Sequence, residues 1–376
     1  MISPYIDTES LSSSNLTQNE LAWLSFASAF NVPSKAWLNA LTTLNVPLIE
    51  LVSELKQLPK GDELVSRISY TRVNDALQWL DVTQQRHIIT FDSPLYPDAL
   101  KQLSNPPLAL FVKGDPTLLN RPQIAIVGSR RATHYGTALA AEFARCLSAK
   151  GLTITSGLAT GIDSAAHKGG IVEQGKTVAV TGTGPDVCYP TRNKALANDI
   201  VHKKGAIVTE FFPSVGPKAW HFPRRNRIIA SLTLGTLVVE AKIKSGTLIT
   251  ANLAADLGKE VFAVPGNVSH AYSEGCHWLI QQGAKLVTNI NDILDEITFE
   301  PLGRDENTLV DNQKSEVNNL ATDKLLASVD YDITAIDVIA QRNAITVQKA
   351  MALLLEYELR GFVAAVPGGY VKLRGK

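Results

Sequence analysis

The residues best suited to bind an anion form a run of three arginines between positions 224 and 227. No acidic residue interrupts the run, and Trp220 and Phe222 stand just before it. Guanidinium groups bind phosphate through paired hydrogen bonds, and aromatic rings stack on nucleic acid bases. A solvated basic face is the alternative, but phosphate contact explains the missing counter-charge better. The predicted ligand contacts in this run are Arg225, Asn226 and Arg227.

A glycine turn with another arginine pair follows the strand predicted over 124–127. A helix predicted from about 135 to 150 comes next, and its N-terminus would offer free N–H donors and a positive dipole end. The spacing differs from the GxGxxG of dinucleotide-binding proteins, so that class is weakly supported. The glycine could serve the turn alone, although this would not explain the arginines beside it. The predicted contacts in this turn are Gly128, Ser129, Arg130 and Arg131.

Three further loops combine glycine with polar or basic residues. The segment 156–163 (SGLATGID) has the form of a second strand-to-helix turn, in which we interpret Asp163 as structural rather than catalytic. The segment 182–194 carries an aromatic residue among basic ones, and 244–247 precedes a helix predicted over 248–258. The candidate ligand contacts in these loops are Gly157, Tyr189, Arg192, Asn193, Lys194, Ser245, Gly246 and Thr247.

One motif match is misleading. Residues 170–177 fit the P-loop expression GxxxxGK[ST]. A working P-loop follows a strand and opens a helix. Here a helix is predicted before the match and a strand after it, with Gly175 as the helix stop, so we predict no nucleotide site at this position.

The charge is unevenly distributed along the 376 residues. The whole chain is neutral, with 36 basic and 36 acidic residues. Residues 121–230 nevertheless hold 15 Lys and Arg against 6 Asp and Glu, a net charge of +9 between two acidic flanks. A basic middle region is typical of a protein that binds a polyanion.

Composition excludes several other classes. The three cysteines form no CxxC pair and the seven histidines show no ligand spacing, so we expect neither a disulfide framework nor a metal site. No cofactor is predicted. No apolar run approaches 18 residues, and the first 15 residues lack the pattern of a secretory signal. These features favour a cytoplasmic protein without membrane association.

Short apolar strands alternate with helical segments between about 123 and 297, which predicts an α/β fold with a parallel sheet covered on both faces. The expected strands are 124–127, 153–156, 177–181, 206–209, 236–239 and 261–264, preceded by a buried strand at 109–112.

Four regions are predicted along the chain. Residues 1–85 form a small helical domain of SAM or helix-hairpin-helix character, with a periodic face that runs from Leu21 to Phe30, and 86–299 form the core. Residues 300–323 are polar and predict a flexible linker. In 324–376, helices over 334–342 and 346–359 and a following hairpin predict a winged helix.

Ordered motifs across the core resemble the DNA-processing protein A (DprA/Smf) family. They are VGSR at 127–130, SGLATGID at 156–163, YP..N at 189–193, FPRRNRII at 222–229, SGTLITA at 245–251, VFAVPG at 261–266 and LIQQGA at 279–284, with PPLALFVKGD at 106–115 as the lead-in. The resemblance implies an extended Rossmann-like core with a helical N-terminal domain and a winged-helix C-terminal domain.

The same resemblance implies a homodimer that binds single-stranded DNA without sequence preference and delivers it to RecA recombinase during natural transformation, with no catalytic turnover. Arg130 matches the main phosphate-binding arginine of the family, and Arg225–Arg227 match its RNR motif. Val187 and Thr191 stand near the places where some relatives carry a stacking aromatic residue and a lysine. Substitution of Arg130 or Arg225 by alanine should therefore weaken oligonucleotide binding and leave the fold intact.

Two other functions are considered. The core also resembles phosphoribohydrolases, whose PGGxGTxxE motif supplies a catalytic glutamate. The nearest match is 234–240, where PGG is missing and Glu240 stands one position late, so we expect Glu240 to pair with a basic residue. The second alternative is a winged-helix transcription regulator, an interpretation supported by residues 324–374 alone. Its second helix carries Glu356 and Glu358 and has no arginine, which favours a partner-binding role over reading of duplex DNA.

Overall fold

The computed structural model describes residues 16–29, 31–58, 60–81, 85–172, 176–300 and 324–373. Residues 301–323 of the predicted linker 300–323, the helix stop at Gly175 and the end of the first apolar face at Phe30 lie outside the described residues. Within them, contacts group the chain into a larger unit, which includes most residues up to 300, and a smaller C-terminal unit.

Nine described strands form one sheet in the larger unit. They are β1 (Arg86–Thr90), β2 (Ala109–Gly114), β3 (Gln123–Gly128), β4 (Thr153–Ser156), β5 (Thr177–Val180), β6 (Ala206–Thr209), β7 (Gly235–Val239), β8 (Glu260–Ala263) and β9 (Lys285–Leu286). Their order is β1-β2-β6-β5-β4-β3-β7-β8-β9. β3, β4, β5 and β7 are buried along their full length, as expected of strands covered on both faces.

The sheet is parallel except at one side. β1 pairs with β2, and β2 with β6, in antiparallel register, whereas every pair from β6 to β9 is parallel. The strands predicted between 123 and 297 are parallel to one another, as expected, and the antiparallel pairs involve only β1 and β2, which precede that region. β1 and β2 come before the alternating region, so no crossover helix constrains their direction.

Helices cover both faces of the sheet. Those that follow β1 in the chain are α6 (Asp98–Lys101), α7 (His134–Ala149), α8 (Ile162–Gly170), α9 (Lys194–His202), α10 (His221–Leu232), α11 (Gly246–Asp256), α12 (Glu274–Gln281) and α13 (Asn291–Leu294). α8 ends before β5 begins, so the helix-to-strand order at 170–177 is the reverse of a P-loop, as predicted.

A helical region precedes β1 and packs on β1 and β2. Its elements are α1 (Gln18–Ser28), α2 (Ser34–Leu44), α3 (Leu51–Glu54), α4 (Gly61–Ser66) and α5 (Tyr70–Asp81), with 3-10 turns at 48–50 and 55–57. Thr17 and Glu20 form a capping box at the start of α1. Phe26 stacks on Trp37 with 4.6 Å between ring centroids, which anchors α1 to α2.

The smaller unit contains α14 (Lys324–Ala327), α15 (Ile336–Arg342), α16 (Val347–Leu359) and a hairpin of β10 (Val363–Val366) and β11 (Gly369–Lys372). Two helices followed by a hairpin form the predicted winged helix. α16 exposes an apolar row at Val347, Met351, Leu355 and Leu359. No helix of the described ranges is long and apolar enough to cross a membrane.

The strand order reverses direction at β3. The chain proceeds from β3 through β4 and β5 to β6 on one side, then crosses back to place β7 on the other side of β3. Loops after such adjacent strands diverge and leave a crevice beyond their carboxyl ends. The loops of interest after β3, β4 and β7 all open at this edge.

Candidate nucleic-acid interface

The loop after β3 has a fixed backbone and exposed arginines. A Cβ atom on Gly128 would lie 1.9 Å from the carbonyl oxygen of Val239, so only glycine fits there. The N–H of Ser129 donates to the Glu240 carbonyl at 2.7 Å, and the Ser129 carbonyl accepts from the N–H of Ile162 at 3.1 Å. Arg130 and Arg131 are exposed beyond these anchors. The loop therefore presents two guanidinium groups without being free to move.

A buried carboxylate organises the loop after β4. The Asp163 carboxylate accepts the N–H groups of Gly157 at 3.1 Å and Ala159 at 3.3 Å. Burial raises the pKa of Asp163, and the charge of Arg225 opposes this shift. The geometry gives Asp163 the structural role that we expected of it.

Arg225 fills the space beside this loop. It is 5% exposed, its Nη1 donates to the Val180 carbonyl, and a Cβ on Gly157 would lie 1.9 Å from that Nη1 atom. Burial lowers the pKa of Arg225 to about 10, against the raising effect of Asp163. Gly157 is thus needed for the close approach of the guanidinium, and Arg225 compensates a buried negative charge.

The segment after β7 forms the opposite wall. Thr247 Oγ1 donates to the Gly128 carbonyl at 3.1 Å, which ties the start of α11 to the end of β3. A Cβ on Gly246 would meet no atom within 4 Å, so the first turn of α11 is open to a ligand. Lys242 and Lys244 are exposed nearby, and Lys242 Nζ lies 5.0 Å from the ring centroid of Tyr272.

Together these walls enclose a pocket of about 760 Å³. Its lining has six basic side chains against the single carboxylate of Asp163. The basic residues are Arg130, Arg131, Lys218, Arg225, Lys242 and Lys244. Among the predicted contacts, those that the structure brings to the pocket are Gly128, Ser129, Arg130, Arg131, Tyr189, Arg225, Asn226, Ser245, Gly246 and Thr247.

Aromatic rings lie beside the cations. Tyr189 is 41% exposed, and its ring centroid lies 5.7 Å from that of Phe222. The guanidinium carbon of Arg130 lies 5.3 Å from the same Phe222 ring, within the range of a cation–π contact. The pocket thus combines basic side chains with flat apolar surfaces.

Five predicted contacts do not line the pocket: Gly157, Arg192, Asn193, Lys194 and Arg227. Gly157 is buried beneath Arg225. Asn193 Nδ2 donates to the Leu158 carbonyl at 2.8 Å and to Ser164 Oγ at 3.0 Å, which fixes the loop after β4. Arg192 and Lys194 are exposed outside the lining.

Arg227 points away from the pocket. Its Nη2 donates to Glu210 Oε2 and its Nη1 to the Asn105 carbonyl at 2.7 Å. Arg224 also donates to Glu210 Oε2, at 2.9 Å. The expectation that the arginine run lacks a balancing acid is therefore wrong. Glu210 lies 17 residues from Arg227 in the chain and becomes its neighbour only when β6 and α10 pack.

Five basic or aromatic lining residues were absent from the predicted contacts: Lys218, Phe222, Lys242, Lys244 and Tyr272. Phe222 precedes the arginine run and Lys244 precedes the predicted contacts 245–247, so both carry a sequence signal. Lys242 could have been found from its spacing of two to Lys244. Lys218 and Tyr272 lie in loops with no repeated pattern, so no sequence signal identifies them.

Glu240 and His167, which could suggest catalysis, are engaged in the fold. The Glu240 carboxyl lies where a Cβ on Gly136 would be, and Glu240 is not among the lining residues. His167 is fully buried, and its Nε2 accepts the Leu158 N–H at 3.3 Å while Nδ1 lies 2.7 Å from Thr177 Oγ1. Burial, followed by the charge of Arg225, lowers the pKa of His167 to about 3.

Comparison with known sequences assigns both units. The family described as DNA recombination-mediator protein A matches residues 87–298, and the DprA winged helix domain matches 313–369. The Smf protein of Escherichia coli is 44% identical over 306 residues, which cover 80% of this chain and 81% of that protein. The DNA processing protein DprA of Streptococcus pneumoniae is 46% identical over 204 residues, 54% of this chain and 72% of that protein.

Solved structures agree with this assignment. The X-ray structure of DNA processing protein A from Streptococcus pneumoniae has a TM-score of 0.64 at 36% identity, and the match covers 76% of this chain and all of that one. DNA processing protein A of Helicobacter pylori, described for its single-stranded DNA binding mode, has a TM-score of 0.51 at 30% identity over 56% of this chain and 94% of that one. The chain therefore belongs to the DNA recombination-mediator protein A family.

Proposed function

We propose that this protein binds single-stranded DNA in the pocket, without sequence preference, and delivers it to RecA recombinase during natural transformation. The observation that carries the proposal is the exposed Arg130 guanidinium on a fixed loop, in a pocket where basic side chains outnumber carboxylates six to one. A sugar-phosphate backbone supplies the matching negative charges.

The chemistry of the lining favours unpaired DNA of any sequence. Cations bind phosphates, which carry no sequence information, and rings such as Tyr189 stack on any base. A duplex keeps its bases stacked inside, so the rings would gain nothing from it. The single-stranded DNA that the Helicobacter pylori relative is described as binding supports this choice of ligand.

We further propose that the protein acts as a homodimer in the cytoplasm. Two pockets on one strand would add avidity without any new contact, because the second binding event becomes intramolecular. Delivery to RecA rests on membership of the family rather than on a surface that the structure identifies. No cofactor is included in the proposal.

A phosphoribohydrolase-like enzyme is the alternative function, and the geometry does not favour it. Glu240 does not line the pocket, and the carboxylate of Asp163 already accepts two backbone N–H groups. A hydrolase would release ribose 5-phosphate from a nucleoside monophosphate. Formation of that product by the purified protein would support the enzyme and contradict a protein without turnover.

Substitution of Arg130 by alanine tests the proposed site. Loss of one phosphate contact at a charged hydrogen bond should weaken binding of a single-stranded oligonucleotide by about tenfold, equivalent to about 1.4 kcal/mol. Fluorescence anisotropy at fixed salt measures the affinity. RecA assembly on the same strand should require more of the Arg130→Ala protein, since less DNA is held.

Arg121→Ala is the matched control. Arg121 is exposed just before β3, whereas Arg130 lies just after the same strand, so both variants lose one surface cation at opposite ends of one element. The control should bind as the wild type does. Equal losses in both variants would show that binding follows net charge alone, and tighter binding to duplex than to single strands would contradict the proposal.

A further inference from the structure

One tryptophan of this chain is half exposed at the start of α10, between residues that line the pocket. Trp220 is 50% exposed, whereas Trp23, Trp37 and Trp79 are buried and Trp278 is partly buried. The hydrophobic effect disfavours leaving the large apolar surface of an indole in water. An exposed ring next to a ligand site is explained if it contacts the ligand.

The indole is held in a fixed position. Trp220 is the N-cap residue of α10, and its ring centroid lies 4.1 Å from that of His221 at an interplanar angle of 80°. The ring of Phe211 lies 6.3 Å away at 71°. These edge contacts restrain the indole before any ligand arrives, so stacking would cost little further side-chain entropy.

A net positive charge lies next to the indole. The carbon of the Arg224 guanidinium lies 5.5 Å from the Phe211 ring centroid. Glu210 accepts from both Arg224 and Arg227, which leaves one positive charge over the group of three. The Glu210 side chain is 2% exposed and that of Arg227 is 14% exposed, whereas the Arg224 side chain is 46% exposed. The excess charge therefore reaches solvent through Arg224.

The two residues lie on the far side of α10 from the pocket. The pocket is lined by residues 217–219, which precede Trp220, and by Phe222, which follows it. Trp220 and Arg224 instead face Phe211, a residue that follows β6. The pocket occupies the carboxyl ends of β7, β3, β4 and β5, and β6 is the next strand along the same edge. A chain longer than the pocket would reach Trp220 by passing over the start of α10.

We propose that Trp220 and Arg224 form a second subsite for an unpaired strand that leaves the pocket. The indole stacks on one nucleobase and Arg224 binds an adjoining phosphate. This subsite rests on the proposed function, because it needs a strand that already occupies the pocket. A ligand no longer than the pocket would not reach it.

The test compares two lengths of oligothymidylate, a short one that the pocket can hold (about three nucleotides) and a longer one (about twelve). Trp220→Leu removes the aromatic face and keeps an apolar side chain, and Trp220→Phe is the matched control that keeps a ring. Trp220→Leu should weaken binding of the longer strand about tenfold, since base stacking has that magnitude, and leave the short strand within twofold. Trp220→Phe should bind both lengths as the wild type does.

Intrinsic fluorescence gives a second measurement. The longer strand should quench the emission of Trp220 in the wild type, the short strand should not, and Trp220→Phe should lose the quenching while it keeps its affinity. Equal affinity of wild type and Trp220→Leu for the longer strand would overturn the subsite, as would an equal loss at both lengths. A wild type that binds neither length would instead overturn the proposed function.

Discussion

Arg225 and Arg227 stand two residues apart, yet neither is a surface cation. Arg225 is buried against the Val180 carbonyl near Asp163, and Arg227 is held by Glu210 and the Asn105 carbonyl. Of the pair, only Arg225 lines the pocket. Removing a buried cation leaves its counter-charge without compensation. Arginines of this run can therefore contribute to the stability of the fold as well as to ligand contact.

Arg225→Ala should therefore destabilise the protein as well as weaken DNA binding. We expect the free energy of unfolding to fall by about 3 to 5 kcal/mol, because the buried Asp163 would lose Arg225, the cation that favours its charged form most. Urea denaturation followed by circular dichroism measures the change. This corrects the expectation from sequence that the fold of this variant stays intact.

Arg224→Ala serves as the control, since its side chain is 46% exposed and surface ion pairs contribute little. Its stability should fall by less than about 1 kcal/mol. If Arg225→Ala were as stable as Arg224→Ala, the compensating role of Arg225 would be wrong. Asp163→Asn combined with Arg225→Met should recover part of the loss by removing both charges.

At the scale of elements, periodicity predicted most of the fold. The six strands from β3 to β8 and the winged helix have the predicted order, and the boundaries of these strands differ from the predicted ones by one residue at most. β-branched and apolar runs identify such strands because they are buried on both faces. The glycine turns after β3 and β7 indicated one edge of the sheet because parallel strands end there together.

Local patterns did not predict the parts that depend on packing between distant segments. β1 is absent from the predicted strands, and the antiparallel pairing of β2 with β6 joins residues almost one hundred positions apart. Glu210 is likewise remote from Arg227 in sequence. A basic run shows which residues carry charge, but the burial of each side chain is decided by the rotation of α10 on the sheet.

The loop between β4 and α8 should make stability depend on pH. Its residue Leu158 has a left-handed backbone with φ of 56° and donates its N–H to His167 Nε2. Protonation of Nε2 would remove that acceptor, and burial keeps the pKa of His167 at about 3 against 6.5 in the unfolded chain. Between pH 6.5 and about pH 3, His167 therefore binds a proton in the unfolded state and not in the folded state. The free energy of unfolding falls as pH drops below 6.5.

Between pH 7 and pH 5 this histidine should cost about 2 kcal/mol of stability. His167→Gln has no titrating ring, so its free energy of unfolding should change less over the same window. Burial lowers the pKa of His87 and His221 as well, and both remain in the variant, so the difference between the two proteins isolates His167. Parallel pH profiles would contradict this role.

At the scale of the whole molecule, a neutral chain contains a strongly basic pocket. Its exposed cations come from separate parts of the chain, at 130–131, 218 and 242–244. The acidic residues on either side of 121–230 bring the net charge of the whole chain to zero, but they do not line the pocket. Local charge sets the number of counterions that DNA releases on binding.

Affinity for single strands should accordingly fall steeply with salt. With about five phosphates neutralised, the logarithm of the binding constant should change with the logarithm of salt concentration at a slope of about −3.5. Replacing both Lys242 and Lys244 by alanine should reduce the slope by about 1.4, and Arg121→Ala should leave it unchanged. Titration of anisotropy against potassium chloride measures each slope, and a slope near zero would contradict an electrostatic site.

Hydrogen bonds between neighbouring loops have a consequence for the kinetics of association. Three hydrogen bonds already link these loops in the free protein: Ser129 with Glu240, Ile162 with Ser129, and Thr247 with Gly128. Because the receptor is ordered in advance, nearly all the conformational entropy lost on association belongs to the nucleic acid. Capture should thus proceed at a rate set by diffusional encounter and charge steering, with no slow rearrangement of the protein beforehand.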